Sequence, residues 1–150
     1  MTDEGRLYLA GVKNVFTCEL VGYAMGPRMT QNLTAQALWR AVRGKRPTAG
    51  LIHHSDRGTQ YCADDYRKLV EQFGMLVSMS RKGNCYDNAR MESFWGKMIH
   101  HQRYATRANA ESAIKEDIEI VYNRQRRHSR LGDVSPASFA EDFRKDALAA

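Results

Sequence analysis

The chain has 150 residues, enough for one domain, and 43% of them are hydrophobic, which supplies a single core and argues against disorder. Lys and Arg number 23 against 17 Asp and Glu, and the resulting charge of +6 suits a polyanionic partner without identifying one. The three cysteines, Cys18, Cys62 and Cys85, have no CxxC spacing, which argues against a disulfide framework or zinc knuckle; the polar opening Met1-Thr2-Asp3-Glu4-Gly5 and the lack of any long apolar run exclude a signal region and a membrane span, so a reducing cytoplasm is expected.

Residues 7–12 and 19–25 read as strands, and the short separation at Lys13-Asn14 predicts an antiparallel hairpin. Residues 30–42 form a helix on the spacing of Leu33, Ala37, Leu38 and Ala41, with Thr30 or Asn32 as cap and Gly44 following its end. The apolar run Leu51-Ile52-His53-His54 predicts a buried strand ending at Asp56. A helix over 64–73 buries Tyr66, Leu69, Val70 and Phe73 and stops at Gly74, and 75–79 is another short strand. A hairpin followed by alternating helix and strand indicates a mixed α/β sheet.

Residues 80–86 read as a loop, and Asp87 or Asn88 caps a helix running through Met91, Phe94, Trp95 and Met98. Residues 106–122 form a second periodic helix with Ala110, Ala113, Ile114, Ile118 and Val121 on one face, and Ser135-Pro136 opens a last short helix through Phe139 and Phe143. Trp39 and Trp95 are read as core residues. His53 and His54 are adjacent on a strand and point to opposite faces, one toward the core and one toward the rim of a site.

Two segments carry chemistry: His53-His54-Ser55-Asp56-Arg57-Gly58-Thr59-Gln60-Tyr61, and Gly83-Asn84-Cys85-Tyr86-Asp87-Asn88-Ala89-Arg90-Met91-Glu92-Ser93-Phe94-Trp95. An acidic pair such as Asp56 and Glu92 is weak by itself; the words around it are specific. A third word follows in order, Tyr122-Asn123, Arg126-Arg127-His128, Leu131-Gly132 and Pro136. Together they resemble the integrase core of DDE transposases, the OrfB-type subunit of bacterial insertion sequences, from about residue 7 to residue 143.

The resemblance implies an α/β fold of the ribonuclease-H-like type, a mixed sheet flanked by helices, with the core over residues 1–143 and a C-terminal tail over 144–150. It implies that Asp56 and Glu92 are catalytic, and that with a third carboxylate they hold two Mg²⁺ or Mn²⁺ ions roughly 4 Å apart for phosphodiester cleavage and strand transfer. The family's first catalytic Asp belongs to a central strand ahead of residue 7. Asp3 falls in the turn instead, about 20 Å away along a strand, so the fold is expected to lack its first, central strand. That loss would leave two open sheet edges, an unstable or aggregating chain, and one inactive alone. The implied partners are DNA, as transposon ends and target, and either further copies or full-length transposase subunits, in a bacterial, nucleoid-associated setting. The basic run Arg124, Arg126, Arg127 and Arg130, and Arg81 and Lys82 ahead of Glu92, are expected to contact phosphates. The alternative is a non-catalytic DNA-binding or transposase-assembly fragment.

Overall fold

A computed structural model describes residues 1–56, 58–80, 91, 94, 95 and 102–150. Strands β1 (Tyr8–Lys13) and β2 (Leu20–Gly26) form an antiparallel pair. Helix α1 (Gln31–Lys45) follows, then β3 (Ile52–Ser55), the single turn α2 (Thr59–Cys62), α3 (Asp64–Gln72) and β4 (Leu76–Met79), with β3 and β4 parallel. Helix α4 (Arg107–Glu116) runs directly into a π-helical stretch, Asp117–Gln125, and after a 3₁₀ turn at Ser129–Leu131 the chain ends in α5 (Pro136–Ala149). The α/β class and the hairpin agree with expectation.

The sheet is in two parts. Among the described residues β1 pairs only with β2 and β3 only with β4, and no ladder joins the two pairs. Helix α1 packs directly on the hairpin and reaches the second pair through a cluster it shares with α3. Thr30 caps it, its side chain accepting from the Leu33 amide, and Gly44 is its penultimate residue rather than its stop. Ala10, Ala24, Leu33 and Ala37 form the cluster between the hairpin and α1, while Leu38 of α1 joins Tyr66, Val70 and Met75 beside β4; Val12 packs against both clusters. The contact with β2 is close because position 22 has no side chain. A Cβ there would lie 2.6 Å from the Ala41 amide nitrogen and would also strike the Ala37 carbonyl.

The other face of the hairpin is covered by Phe94, Ile118 and Tyr122, which meet Leu20. Leu20 reaches that face because the pairing slips between Val12 and Lys13, a bulge that shifts the strand's alternation. Tyr122 donates its hydroxyl to the Cys18 carbonyl at 3.0 Å. Asn123 brackets Leu20: its Oδ1 accepts from the Leu20 amide at 3.0 Å and its Nδ2 donates to the Leu20 carbonyl at 3.1 Å, so one side chain acts as a strand partner. Buried Glu19 accepts from Lys45 Nζ at 3.1 Å with both oxygens and anchors the end of α1 to the base of β2.

Four further expectations are corrected. Strand β3 is not buried: Ile52 is 64% exposed and its neighbour Leu76 on β4 is 58% exposed, because α1 and α3 cover one face of this pair and no described residue covers the other. Trp39 is 48% exposed on the outer side of α1 rather than in the core. Val121 is exposed because the widening into a π-helix rotates it off the face kept by Ile118 and Tyr122. The last helix continues past Phe143 to Ala149. The expected helix cap at Asp87 or Asn88 lies outside the described residues.

Replacing Gly22 by Ala is expected to push α1 off β2 and cost at least about 2 kcal/mol, read as a lower urea midpoint. Asn123→Ala is expected to leave both Leu20 backbone groups without their partner at a cost of about 1–3 kcal/mol. An unchanged midpoint in either variant contradicts this packing.

Candidate active site

Asp56 stands one residue beyond the C-terminal end of β3, exposed. Its Oδ1 accepts from the Gly58 amide at 2.8 Å, the bond by which a short acidic side chain turns a chain out of a strand. The turn delivers the chain into α2 and α3, whose first turn carries Asp64 and Asp65. The aspartate is thus both a turn former and a carboxylate presented at the sheet's end, with Oδ2 left outside that bond.

Two histidines fix the strand behind it. His53 points to the core, where its Nε2 lies 2.9 Å from the Tyr66 hydroxyl. Burial, with a smaller effect from His54, lowers its pKa to about 4, so its ring is neutral at pH 7. Tyr61 stacks edge-on against Tyr66 at 5.3 Å, and its hydroxyl pKa is raised by burial and then by the Asp56 carboxylate. His54 points the other way: Nδ1 lies 3.0 Å from Ser78 Oγ and Nε2 3.2 Å from Ser80 Oγ. Ser80 also donates its amide to the Ser55 carbonyl at 2.9 Å, so the last residue of β3 is held in register on β4. Sequence reading separated the two histidines by face but missed these serines, although the Ser78-x-Ser80 spacing puts both hydroxyls on one side of an extended chain.

Glu92, Arg81 and Lys82 lie outside the described residues, so the structure does not bring Glu92 together with Asp56 or separate it. Its helical neighbours Met91, Phe94 and Trp95 pack in the cluster around Leu20 and Tyr122. Among the described residues Asp56 offers one carboxylate to a two-ion centre, and no three His, Cys, Asp or Glu side chains come together. Asp3 is in a turn, as expected, and pairs with Arg103 at 2.6 Å.

Arg124, Arg126 and Arg127 are exposed at the end of the π-helical stretch. Arg130 differs from them: it donates to the Val15 carbonyl at 2.7 Å and to Cys18 Sγ at 3.7 Å, pinning the hairpin loop. The rest of that C-terminal word is also structural. Tyr122 and Asn123 grip the hairpin, His128 stacks edge-on against the Tyr122 ring at 5.3 Å, Leu131 is buried, Gly132 takes a left-handed turn (φ 76°) and Pro136 opens α5.

A family profile described as integrase core domain matches residues 1–85, and a second of the same description matches residues 74–136. The chain belongs to the integrase core domain family. The integrase core is 63% identical over 150 residues to an uncharacterized 31 kDa protein of insertion element IS600 from Shigella sonnei, an alignment covering 97% of this chain and 55% of that protein. It is 43% identical over 143 residues to the transposase InsF for insertion sequence IS3A of Escherichia coli (strain K12), covering 92% of this chain and 49% of InsF. The InsF for IS3 of Escherichia coli O111:H- matches to the same extent. The chain therefore spans about half the length of the curated relatives it matches. Divalent metals are general to integrase cores. Among the described residues no helix is long and apolar enough to cross a membrane.

The lowered pKa of His53 gives this core a pH dependence of stated sign. Between pH 6.5 and about 4 the unfolded chain takes up a proton that the folded chain refuses. The contribution to stability is present above pH 6.5 and is lost as the pH falls through that window, on the order of 3 kcal/mol at most. An NMR titration should place the His53 midpoint near 4, and His53→Gln, which cannot titrate, should flatten the loss of stability over the window. A midpoint near 6.5 would contradict the buried placement.

Proposed function

We propose that this chain is the catalytic core of an insertion-sequence transposase and acts in DNA transposition, cleaving phosphodiesters at element ends and joining the freed 3′-hydroxyl to target DNA. The observation that carries the reading is Asp56, fixed at the C-terminal end of a parallel strand within a chain whose residues 1–136 match integrase cores. In this reading Asp56 and Glu92 are catalytic carboxylates that would hold Mg²⁺ or Mn²⁺, and the metal would supply Lewis-acid chemistry at the reacting phosphate. Arg124, Arg126 and Arg127, with Arg81 and Lys82, hold phosphates; Arg130 combines that role with pinning the hairpin. The partners are transposon-end and target DNA and other transposase subunits, in the bacterial cytoplasm at the nucleoid.

The proposal includes a strand between β1 and β3. Both strands present an edge with no described partner, and Val12 of β1 and Val77 of β4 pack against one cluster, built by Leu38 of α1 with Tyr66, Val70 and Met75. A strand inserted there gains ladder bonds on both sides and can bring the third carboxylate beside Asp56. The ribonuclease-H-like sheet is complete only with it, and the 150 residues alone form an unstable core. The split sheet equally favours a second reading, in which the chain is an assembly fragment that joins complete transposase subunits without catalysing.

A strand-transfer assay with Mn²⁺ and oligonucleotide element ends separates the two. This chain is compared with a version extended at its N-terminus by one strand that carries an aspartate. The expected result is joining by the extended version, none by the 150-residue chain, loss in Asp56→Asn and in Glu92→Gln, and a sharper thermal transition after extension. Joining by the 150-residue chain would overturn the strand requirement. An extended version that folds cooperatively and stays inactive would overturn the catalytic reading in favour of assembly.

A further inference from the structure

Helix α1 has an outer face that neither the core nor the candidate active site uses. Its buried side is Leu33, Thr34, Ala37, Leu38 and Ala41. Turned away from it, at spacings of three and four residues, are Asn32, Gln36, Trp39, Arg43 and Arg46, all exposed. The Arg43 guanidinium lies over the Trp39 ring, 5.0 Å from its centroid. No acidic residue occurs between Arg28 and Asp56, and no carboxylate pairs with Arg43 or Arg46 among the described residues. The remaining cations of this helix are committed elsewhere, Arg40 to the Tyr23 carbonyl at 2.9 Å and Lys45 to Glu19.

A basic last turn is favoured by the helix dipole, which accounts for the charge at this end. It does not account for the tryptophan. Leaving about half of an indole in water forgoes a large apolar burial, and the stacked guanidinium already holds the ring in a fixed pose. A protein partner would call for apolar neighbours around such an anchor, because interface centres are depleted in charge. Here the neighbours are two amides and two arginines, every one a hydrogen-bond donor and none an anion. Donors, cations and one flat ring along a ridge suit a polyphosphate strand: arginines take phosphate oxygens, and the ring packs on the sugar edge.

We infer that the outer ridge of α1, centred on Trp39, Arg43 and Arg46, is a DNA-backbone contact surface separate from the arginines of residues 124–127. The inference rests on the reading that this chain acts on DNA. It adds a surface on a different element.

The test is binding of the full chain to a short DNA duplex, followed by tryptophan fluorescence and by the salt dependence of affinity. The wild type should change emission on binding, and Trp39→Phe should remove that change, leaving partly buried Trp95 as the remaining tryptophan. Arg43→Gln with Arg46→Gln should keep the circular dichroism of the parent and lower the slope of log affinity against log salt by about 2. The parallel variant Arg124→Gln, Arg126→Gln, Arg127→Gln separates the claims. If it weakens binding while the α1 variants bind like wild type, the ridge is overturned and the DNA reading stands. If the wild type binds no duplex even at low salt, the DNA reading falls and the ridge with it. If the α1 variants alter sedimentation of the free chain but not DNA binding, the ridge joins copies of the protein and the inference is overturned.

Discussion

The close approach of α1 to β2 is the contact on which the remaining architecture depends. Gly22 lets the helix backbone settle onto the strand, the ion pair of buried Glu19 with exposed Lys45 anchors its far end, and Leu38 carries the same helix into the cluster with Tyr66, Val70 and Met75. Two strand pairs that share no hydrogen bond among the described residues are thus positioned by helix packing, α1 on the hairpin and α3 beside β4. Ladder bonds tie strands at fixed spacing, whereas side-chain packing alone leaves the edges open to a further strand or to association.

The candidate active site inherits its geometry from this arrangement. Asp56 is placed by its bond to the Gly58 amide, but the strand behind it is held on opposite faces by His53 against Tyr66 and by His54 between Ser78 and Ser80. A neutral, half-buried His53 contributes packing and one polar contact without a charge held against the core. On the other side of the molecule, the C-terminal word serves as a clamp. Tyr122, Asn123 and Arg130 all bind backbone carbonyls of the hairpin, and Asn123 also binds an amide. Residues that identify the family by their order can therefore be read as joinery as well as chemistry.

Much of this was legible in the sequence for local reasons. The hairpin, the cap at Thr30, the opposed faces of His53 and His54 and the proline opening of α5 follow from turn chemistry, capping and strand alternation. The errors have a common source: periodicity reports which residues can share a face, not whether anything covers it. Ile52 and Leu76 look buried by composition and lie on a face that no described residue covers. Trp39 sits at a helical position that reads as apolar until the core side of α1 is fixed by Gly22 and Ala37. Val121 was misplaced because no local signal marks where an α-helix widens into a π-helix. For the candidate site, Asp56 and its turn were readable from Asp-x-Gly, while the serine contacts of His54 required the parallel register of β3 on β4.

Amide hydrogen exchange along β3 tests the two-part sheet most directly. The Ser55 carbonyl accepts from Ser80 and the Leu51 carbonyl from Leu76, so the backbone groups of His53 and Ser55 face β4 while those of Ile52 and His54 face the open edge. The account predicts alternation, with the His53 and Ser55 amides protected and the Ile52 and His54 amides exchanging near the rate of unstructured chain. Equal protection of all four would contradict it, because the open edge of β3 would then be paired within the chain itself.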